Sequence, residues 1–279
     1  MIRTGMKISP ADWREKIEAN PDFVEIVLKE DDLASQQELV REMHARDIPW
    51  FGHLPTTYKE RDEIFLLNIA SANEAVRDKS RNLLTNLAEE LHHESKSQGW
   101  IIHTPTAWNF STRQKLFDRG GANELHNAQQ WISSQVHDAY VENVPPALKW
   151  NGNTYYTEPF DMKPERPVVD TGHLYASTRS NELFLDEFTS RLGVTDYFHL
   201  ASLTGNEPYD SHGKLFAAEQ KEYPDVNLLR KVLVQIVQMA AESSREFYLV
   251  CEPGGSADLH IINITKLRKE IAEITSQIQ

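Results

Sequence analysis

The chain of 279 residues has one cysteine, few cations relative to acids, and no long apolar run. A single cysteine, Cys251, cannot form a disulfide within the chain, which excludes redox chemistry by a cysteine pair and cysteine-rich zinc modules. No apolar stretch approaches the roughly 18 to 20 residues that span a membrane, and residues 1–13 lack the apolar core of a signal peptide. We therefore expect a cytoplasmic protein with no membrane partner.

The chain is also poor in positive charge. Its 29 lysines and arginines against 42 acidic residues give a formal net charge of −13. This balance opposes broad, non-specific adhesion to nucleic acid or anionic membranes, but it permits a local basic groove. The hydrophobic share of 40% is ordinary for a globular domain, so disorder is not expected. What the chain does have in number is histidine, with eleven residues.

Eight short runs rich in β-branched and aromatic residues alternate with segments of helical period. Most runs are apolar up to a polar end, which is typical of parallel strands buried on both faces. The runs cover residues 5–9, 23–28, 49–55, 99–105, 139–145, 167–173, 196–202 and 246–253. Helical period covers 10–19, 34–46, 71–97, 122–138, 181–192, 225–243 and 264–277. This alternation predicts an α/β protein, a (β/α)8 TIM barrel forming a single domain over residues 1–279. A doubly wound open sheet is the competitor, but no glycine-rich G-x-G-x-x-G turn follows any run.

One connection departs from this alternation. Residues 146–166, between the fifth and sixth runs, contain several prolines and no helical period. Their centre reads LKW-NGN-TYYT, in which a turn sequence separates two segments with strand character. We predict a β-hairpin that replaces the barrel helix at this point.

Side chains able to bind a metal stand where six of the eight predicted strands end. In a parallel barrel the carboxyl ends of all strands meet on one face, where the following loops build active sites. A lone histidine in such a place is more often structural, whereas nine metal-competent residues on successive connections favour a metal centre. They are His53, His103, Glu142, Asp170, His173, His199, Asp210, His212 and Glu252.

The chemistry of this set indicates the metal and the reaction. Imidazole and carboxylate ligands without thiolates are typical of Zn²⁺, Mn²⁺ or Fe²⁺, whereas Mg²⁺ and Ca²⁺ prefer all-oxygen shells. Nine ligands exceed the about four to six that one ion uses, so two or three ions are predicted. Clustered metals commonly serve phosphoester cleavage, because they activate water and neutralise the phosphate and the leaving oxygen. A single metal would instead leave carboxylates free to move protons next to a carbonyl.

Three sequence segments carry a resemblance to a known family. They are FLLNIASANEAVRDKSRNLLTNLAEEL at 65–91 leading to IIHTP, the D-T-x-H pattern at 170–173, and the D-x-H pattern at 210–212. With the strand-end residues they resemble the xylose isomerase-like TIM-barrel superfamily, and within it endonuclease IV, the zinc-dependent apurinic/apyrimidinic endonuclease family. The resemblance covers about residues 49–255. It implies hydrolysis of a phosphodiester, with abasic or damaged DNA as the partner.

The resemblance also implies a role for each strand-end residue. Glu142 would bridge two zinc ions and orient the attacking water, and with Glu252 it is predicted to be catalytic. The ligands of the family's first zinc position match His53, His103 and Glu142. Those of the second match Glu142, Asp170, His199 and Glu252, and those of the third match His173, Asp210 and His212.

The segments next to the ligands depart from that family. The chain has HLPT at 53–56 where the family has HAPY, and GKLF at 213–216 where the family has ENIG. The substrate is therefore the open question, since the metal residues match while neighbouring loops do not. Cations that could contact a phosphate backbone are Arg113, Lys115, Arg179 and Lys214.

Two other functions are compatible with the sequence. A sugar isomerase or epimerase of the same superfamily would hold one metal with residues matching Glu142, Asp170, His199 and Glu252, and its substrate would be a small sugar. It would leave His53, His103, Asp210 and His212 unexplained. A barrel that only binds a ligand predicts eroded metal positions, and none is eroded. The sequence therefore favours the hydrolase.

Overall fold

Eight short parallel strands form the centre of the protein. The structure is a computed structural model that describes residues 1–29, 32–60, 63–103, 107–108, 122–143, 147–150, 153–157, 166–204, 215–216, 222–223, 225–253 and 255–278. The strands are β1 (Ile2–Ile8), β2 (Phe23–Val27), β3 (Trp50–His53), β4 (Trp100–His103), β5 (Ala139–Glu142), β6 (Pro167–Asp170), β7 (Tyr197–Leu200) and β8 (Phe247–Cys251).

These strands close into a barrel. Each strand pairs in parallel with the next one along the chain, and β8 returns to pair with β1, where Met6 lies opposite Cys251. Closure leaves no exposed sheet edge, which an open doubly wound sheet would have. The predicted (β/α)8 barrel is therefore confirmed.

Helices surround the barrel. They are α1 (Trp13–Lys16), α2 (Leu33–Ala45), α3 (Glu74–Glu94), α4 (Ala122–Gln135), α5 (Thr171–Thr178), α6 (Asn181–Leu192), α7 (Val226–Glu242) and α8 (Ala257–Ile278). The longer ones begin at capping residues: Asn73 accepts hydrogen bonds from the backbone of α3, and Asp225 does so for α7. Among the described residues, every helix is too short or too polar to cross a bilayer.

The core has two parts, one inside the barrel and one between the strands and the helices. Inside, Phe23, Phe51, Tyr197 and Tyr248 pack mainly edge to face, with centroids 4.9 Å apart for Phe51 and Tyr197 and 5.3 Å apart for Phe23 and Tyr248. Outside, the apolar stripes of the helices cover the other face of the strands. The aromatic layer fills the barrel interior, so the polar ends of the strands lie above a packed floor.

The predicted hairpin is confirmed, and it carries an unforeseen third strand. Ala147–Trp150 pairs antiparallel with Asn153–Thr157, and Ala107–Trp108 adds to the free edge of the second of these strands. The described residues between Glu142 and Pro167 contain no helix. A two-residue strand has no detectable period, so the sequence could not predict its pairing.

Several other elements differ from the prediction. The helix expected at 10–19 is only α1 followed by a 3-10 turn, Ile17–Ala19, and the helix expected from 264 begins at Ala257. Helix α5 was not predicted. Two further strand pairs were also missed, one formed by Thr57–Glu60 with Glu63–Leu66 and one by Leu203–Thr204 with Glu222–Tyr223.

Candidate metal centre

Polar residues from all eight strands meet at the carboxyl end of the barrel. Each of these residues comes two positions after a residue that lies deeper in the barrel. Because side chains alternate between the two faces along a strand, both side chains point inward. The upper residues, called the polar ring below, are Lys7, Glu25, His53, His103, Glu142, Asp170, His199 and Glu252. The residues beneath them, in the same order, are Gly5, Phe23, Phe51, Ile101, Tyr140, Val168, Tyr197 and Val250.

Sequence reasoning found six members of the polar ring and missed Lys7 and Glu25. Both lie inside an apolar run rather than at its end. The signal that would have found them is the two-residue step from Phe23 to Glu25, which repeats the steps from Phe51 to His53 and onward around the barrel. Glu25 is fully buried, and it lies opposite Lys7 in the pairing of β1 with β2.

The first cluster joins the two histidines of β3 and β4 to the glutamate of β5. His53 Nε2 lies 3.8 Å from Glu142 Oε2, and His103 Nε2 lies 3.3 Å from the same oxygen. Strand pairing explains part of this geometry, since His103 is directly opposite Glu142. Two ligand atoms about 2.1 Å from a tetrahedral zinc ion lie about 3.4 Å apart, so these spacings suit one ion.

The second cluster shares Glu142. His199 Nδ1 lies 3.0 Å from Glu142 Oε1 and 3.3 Å from Glu252 Oε2. Asp170 belongs to the same group and is directly opposite His199 in the pairing of β6 with β7. The four ligand atoms lie within 4.8 Å of one another. Glu142 thus has one oxygen in each cluster, which is the geometry of a bridging carboxylate.

Glu25 contacts members of both clusters from the opposite side. Its Oε1 accepts a hydrogen bond from His53 Nδ1 at 2.6 Å, and its Oε2 accepts from His199 Nε2 at 2.8 Å. Tyr197 donates its hydroxyl to the same Oε2 at 2.7 Å. The Nζ of Lys7 lies 3.5 Å from Oε1 and forms an ion pair with Glu252.

His173 is held at the edge of the centre by local hydrogen bonds. Asp170 ends β6 and caps α5, because its Oδ1 accepts the backbone N–H of His173 at 2.7 Å. The His173 ring donates from Nδ1 to the carbonyl of Asn143 at 2.8 Å, and Asn143 Oδ1 accepts the backbone N–H of Asp170 at 2.7 Å. The ring's Nε2 is then the nitrogen without a proton.

Charge and burial set the protonation of the centre. The polar ring contains one lysine and four carboxylates, a formal charge of −3 with its histidines neutral. Burial lowers the pKa of His103 to about 3 against the opposing effect of Glu142, so this ring is neutral near pH 7. Burial also disfavours the charged form of His199, but Glu142 and Glu25 outweigh it and raise its pKa well above the ordinary value.

The centre fits a divalent cation on grounds other than resemblance. Glu142 Oε2 is buried and makes no hydrogen bond with any residue that the structure describes. Such an atom is costly to bury unless something satisfies it. A cation in the first cluster would satisfy it, and cations in both clusters would offset the negative charge of the ring. The donor set of imidazoles and carboxylates suits Zn²⁺, Mn²⁺ or Fe²⁺.

The remaining predicted residues are less informative. Asp210 and His212 lie outside the described residues, so the third predicted metal position has only His173 in place. Arg113, Lys115 and Lys214 also lie outside them. Arg179 follows the last residue of α5, about 12 Å along that helix from the polar ring, and donates from Nε to Ala176 O at 2.8 Å. Contact of these four cations with a substrate stays a prediction.

The fold is shared with several solved proteins. Over 99% of its length the chain matches 98% of a D-tagatose 3-epimerase-like protein, with a TM-score of 0.63 and 15% identity. Over its whole length it matches 97% of an L-ribulose 3-epimerase, with a TM-score of 0.62 and 11% identity. It also matches a xylose isomerase domain protein from Planctomyces limnophilus over 98% of both chains, with a TM-score of 0.61 and 9% identity.

Sequence comparison adds nothing to this result. No protein-family model matches the chain, and no curated protein matches it significantly. At these low identities the structural similarity establishes the fold and not the reaction. The reaction therefore depends on the chemistry of the polar ring rather than on the fold.

Proposed function

We propose that the chain is a metal-dependent phosphodiester hydrolase, with two metal positions that share Glu142 and with abasic or damaged DNA as its substrate. The observation that carries this proposal is the double cluster: His53 and His103 approach one oxygen of Glu142, while His199 approaches the other. A one-metal enzyme has no use for the first cluster, whereas phosphodiester cleavage uses two adjacent ions.

The protein residues divide the work between holding ions and arranging the substrate. Bound zinc, manganese or iron would activate water and neutralise charge on the phosphate and on the leaving oxygen. His53 and His103 would hold the first ion, Asp170, His199 and Glu252 the second, and Glu142 would hold both and orient the attacking water. His173 would belong to a third position with Asp210 and His212, as the sequence resemblance implies.

Lys7 is the one lysine of the polar ring. Its Nζ pairs with Glu252 and lies 3.5 Å from Glu25 Oε1, inside the centre rather than on the outer surface. The acids Glu252, Glu25 and Glu142 outweigh burial and raise its pKa, so it remains charged. A charged lysine at this position can contact an anionic group that approaches the ring, which a phosphodiester supplies and a neutral sugar does not.

A sugar epimerase with one metal is the second candidate. Two observations favour it: the second cluster is a complete four-ligand set, and solved proteins with this fold include enzymes named as 3-epimerases. In this case Glu142 and Glu252 would move protons at a carbon next to the carbonyl of a keto sugar. The first cluster would then have no assigned chemistry.

Metal counting combined with one variant separates the two candidates. The purified chain is stripped with chelator and reloaded with Zn²⁺ or Mn²⁺, and ions per chain are measured. Incision of a duplex with one abasic site and epimerisation of a keto sugar are then assayed with the same samples. We expect two or three ions and incision in the wild type.

The informative variant is His103→Ala, because His103 belongs only to the first cluster. If the chain is a hydrolase, this variant should lose one ion, and its rate of incision should fall at least about 100-fold. The reason is that each metal stabilises the transition state by several kcal/mol. His93→Ala, at an exposed position on α3, is the control and should behave like the wild type. One ion per chain, with sugar activity that survives His103→Ala, would refute the hydrolase and support the epimerase.

A further inference from the structure

Glu25 lies at a position from which one carboxylate reaches both metal clusters. It is in the middle of β2, its side chain is fully buried, and Phe23 fills the space beneath it. Each of its two oxygens accepts a hydrogen bond from a different histidine: Oε1 from His53 and Oε2 from His199. These histidines belong to different clusters, and their rings are nearly parallel with centroids 5.8 Å apart.

The hydrogen bonds to Glu25 decide which ring nitrogens face the metal positions. A carboxylate only accepts, so His53 must carry a proton on Nδ1 and His199 must carry one on Nε2. The opposite nitrogens, His53 Nε2 and His199 Nδ1, are the ones that face Glu142 at 3.8 and 3.0 Å. Carboxylates behind metal-binding histidines commonly fix the ring and its tautomer in this way. Here a single carboxylate does so for two rings.

The surroundings of Glu25 prevent it from turning toward either histidine alone. Tyr197 donates to Oε2 at 2.7 Å, and Lys7 lies 3.5 Å from Oε1 on the neighbouring strand. Rotation that improved the contact with one histidine would lengthen the contact with the other. The two rings are therefore tied to each other through one rigid side chain.

Direct coordination of a metal by Glu25 is the competing explanation, since Glu25, His53 and His199 lie close enough to form a ligand set. Distances of 2.6 and 2.8 Å are those of charge-assisted hydrogen bonds, and Oε2 already accepts from Tyr197. An ion there would also stand next to the ammonium group of Lys7. The contacts favour a positioning residue over a ligand.

We propose that Glu25 is a shared positioning residue that holds His53 and His199, one ligand of each metal position, so that the two positions are formed together. This inference rests on the proposed metal centre, and it adds a coupling between the two ions. Removal of the carboxylate should weaken both positions, although Glu25 touches neither ion.

The test compares zinc binding by the metal-free full-length wild type, Glu25→Gln and Tyr248→Phe. Titration against a competing chelator gives the number of ions and the affinity of each position. In Glu25→Gln we expect the affinities of both positions to fall at least about 10-fold, because loss of an outer partner of a ligand typically costs 10- to 100-fold. Tyr248→Phe is the control, because it removes a hydroxyl of the same aromatic layer that donates to Glu246 instead, so its affinities should stay within about threefold of the wild type. A third ion held by residues 173, 210 and 212 should be unaffected.

Nitrogen-15 spectra of the zinc-loaded wild type give a second measurement that does not depend on the folding of a variant. We expect His53 to carry its proton on Nδ1 and His199 on Nε2, and the opposite tautomer in either ring would overturn the inference.

Zinc affinities in Glu25→Gln equal to those of the wild type would overturn the positioning role of Glu25 and leave the proposed function standing. Weakening of only one position, or the loss of one ion with the other affinity unchanged, would also overturn it. A wild type that binds no zinc would instead refute the proposed function.

Discussion

Lys7 and Glu252 form the ion pair of the polar ring that bears most directly on metal binding. Glu252 has one oxygen against Lys7 Nζ and the other 3.3 Å from His199 Nδ1, so the lysine and a metal ion compete for the same carboxylate. Both side chains are largely buried, with 13% and 9% exposed. We therefore expect the lysine to stabilise the metal-free protein and to lower its affinity for an ion in the proposed second position.

Lys7→Met should separate these two effects. Without its cation, Glu252 is a buried carboxylate lacking this partner, and removal of one member of a buried pair costs about 3 kcal/mol or more. We expect the metal-free variant to unfold at lower urea concentration, and zinc to raise its free energy of unfolding by more than it does in the wild type. Urea unfolding with and without saturating zinc measures both quantities.

The matched control is Lys16→Met, which removes a buried lysine that pairs with an acid outside the polar ring. Lys16 pairs with Asp12 at 2.8 Å and donates to the carbonyl of Lys7. Its loss should destabilise the protein while leaving the zinc increment at the wild-type value. An equal zinc increment in Lys7→Met and the wild type would argue against competition for Glu252.

The strands and the site differ in how far the sequence predicts them. All eight barrel strands were found, because a strand buried on both faces gives a continuous apolar run. The partners of the metal ligands were harder to find, since Glu25 interrupts an apolar run and its role depends on residues 28 and 174 positions away along the chain. Helix α5 was missed because its first residues, 171–173, continue the predicted strand run, although Asp170 is a residue type that commonly caps helices.

Gly5 shows how one element of the barrel constrains its neighbour. A Cβ added at Gly5 would lie 2.5 Å from the ring of Phe23, which is completely buried in the aromatic layer. Phe23 cannot move away, because Phe51 and Tyr248 pack against it with centroids 5.5 and 5.3 Å away. β1 therefore needs a glycine below Lys7 so that β2 can present Glu25 above Phe23.

Gly5→Ala should consequently destabilise the barrel by about 1–3 kcal/mol, the usual cost of overpacking a close-packed core. Urea unfolding of the metal-free protein measures this change. Gly193→Ala is the control, because a Cβ there meets no atom within 4 Å and the backbone is helical with φ of −66°. It should be neutral or stabilise by up to about 1 kcal/mol. Equal effects of the two substitutions would mean that the aromatic layer can rearrange.

The molecule as a whole is acidic, with a net charge of −13, and the polar ring adds a concentrated negative charge at one end of the barrel. A buried excess of carboxylates is tolerable in the metal-free state only if protons or cations reside among them. His199 supplies such a proton, because Glu142 and Glu25 raise its pKa well above the ordinary value despite its burial. The fold and the metal centre are therefore linked through the protonation of one histidine.

This linkage predicts opposite responses to pH with and without metal. A histidine with a raised pKa in the folded state contributes stability that is fully present below its unfolded pKa of about 6.5 and is lost as pH rises through the folded value. The metal-free protein should accordingly lose stability above about pH 6.5. Zinc needs His199 Nδ1 without its proton, so zinc affinity and the stabilisation by zinc should increase over the same range. Thermal unfolding with zinc or with chelator, between pH 6.5 and 9, should show a gap in Tm that widens with pH.

The exposed control His93→Gln should keep this widening of the Tm gap, and His199→Gln should flatten the dependence of the metal-free Tm on pH. A gap that narrows as pH rises would contradict both the protonation of His199 and its role as a ligand.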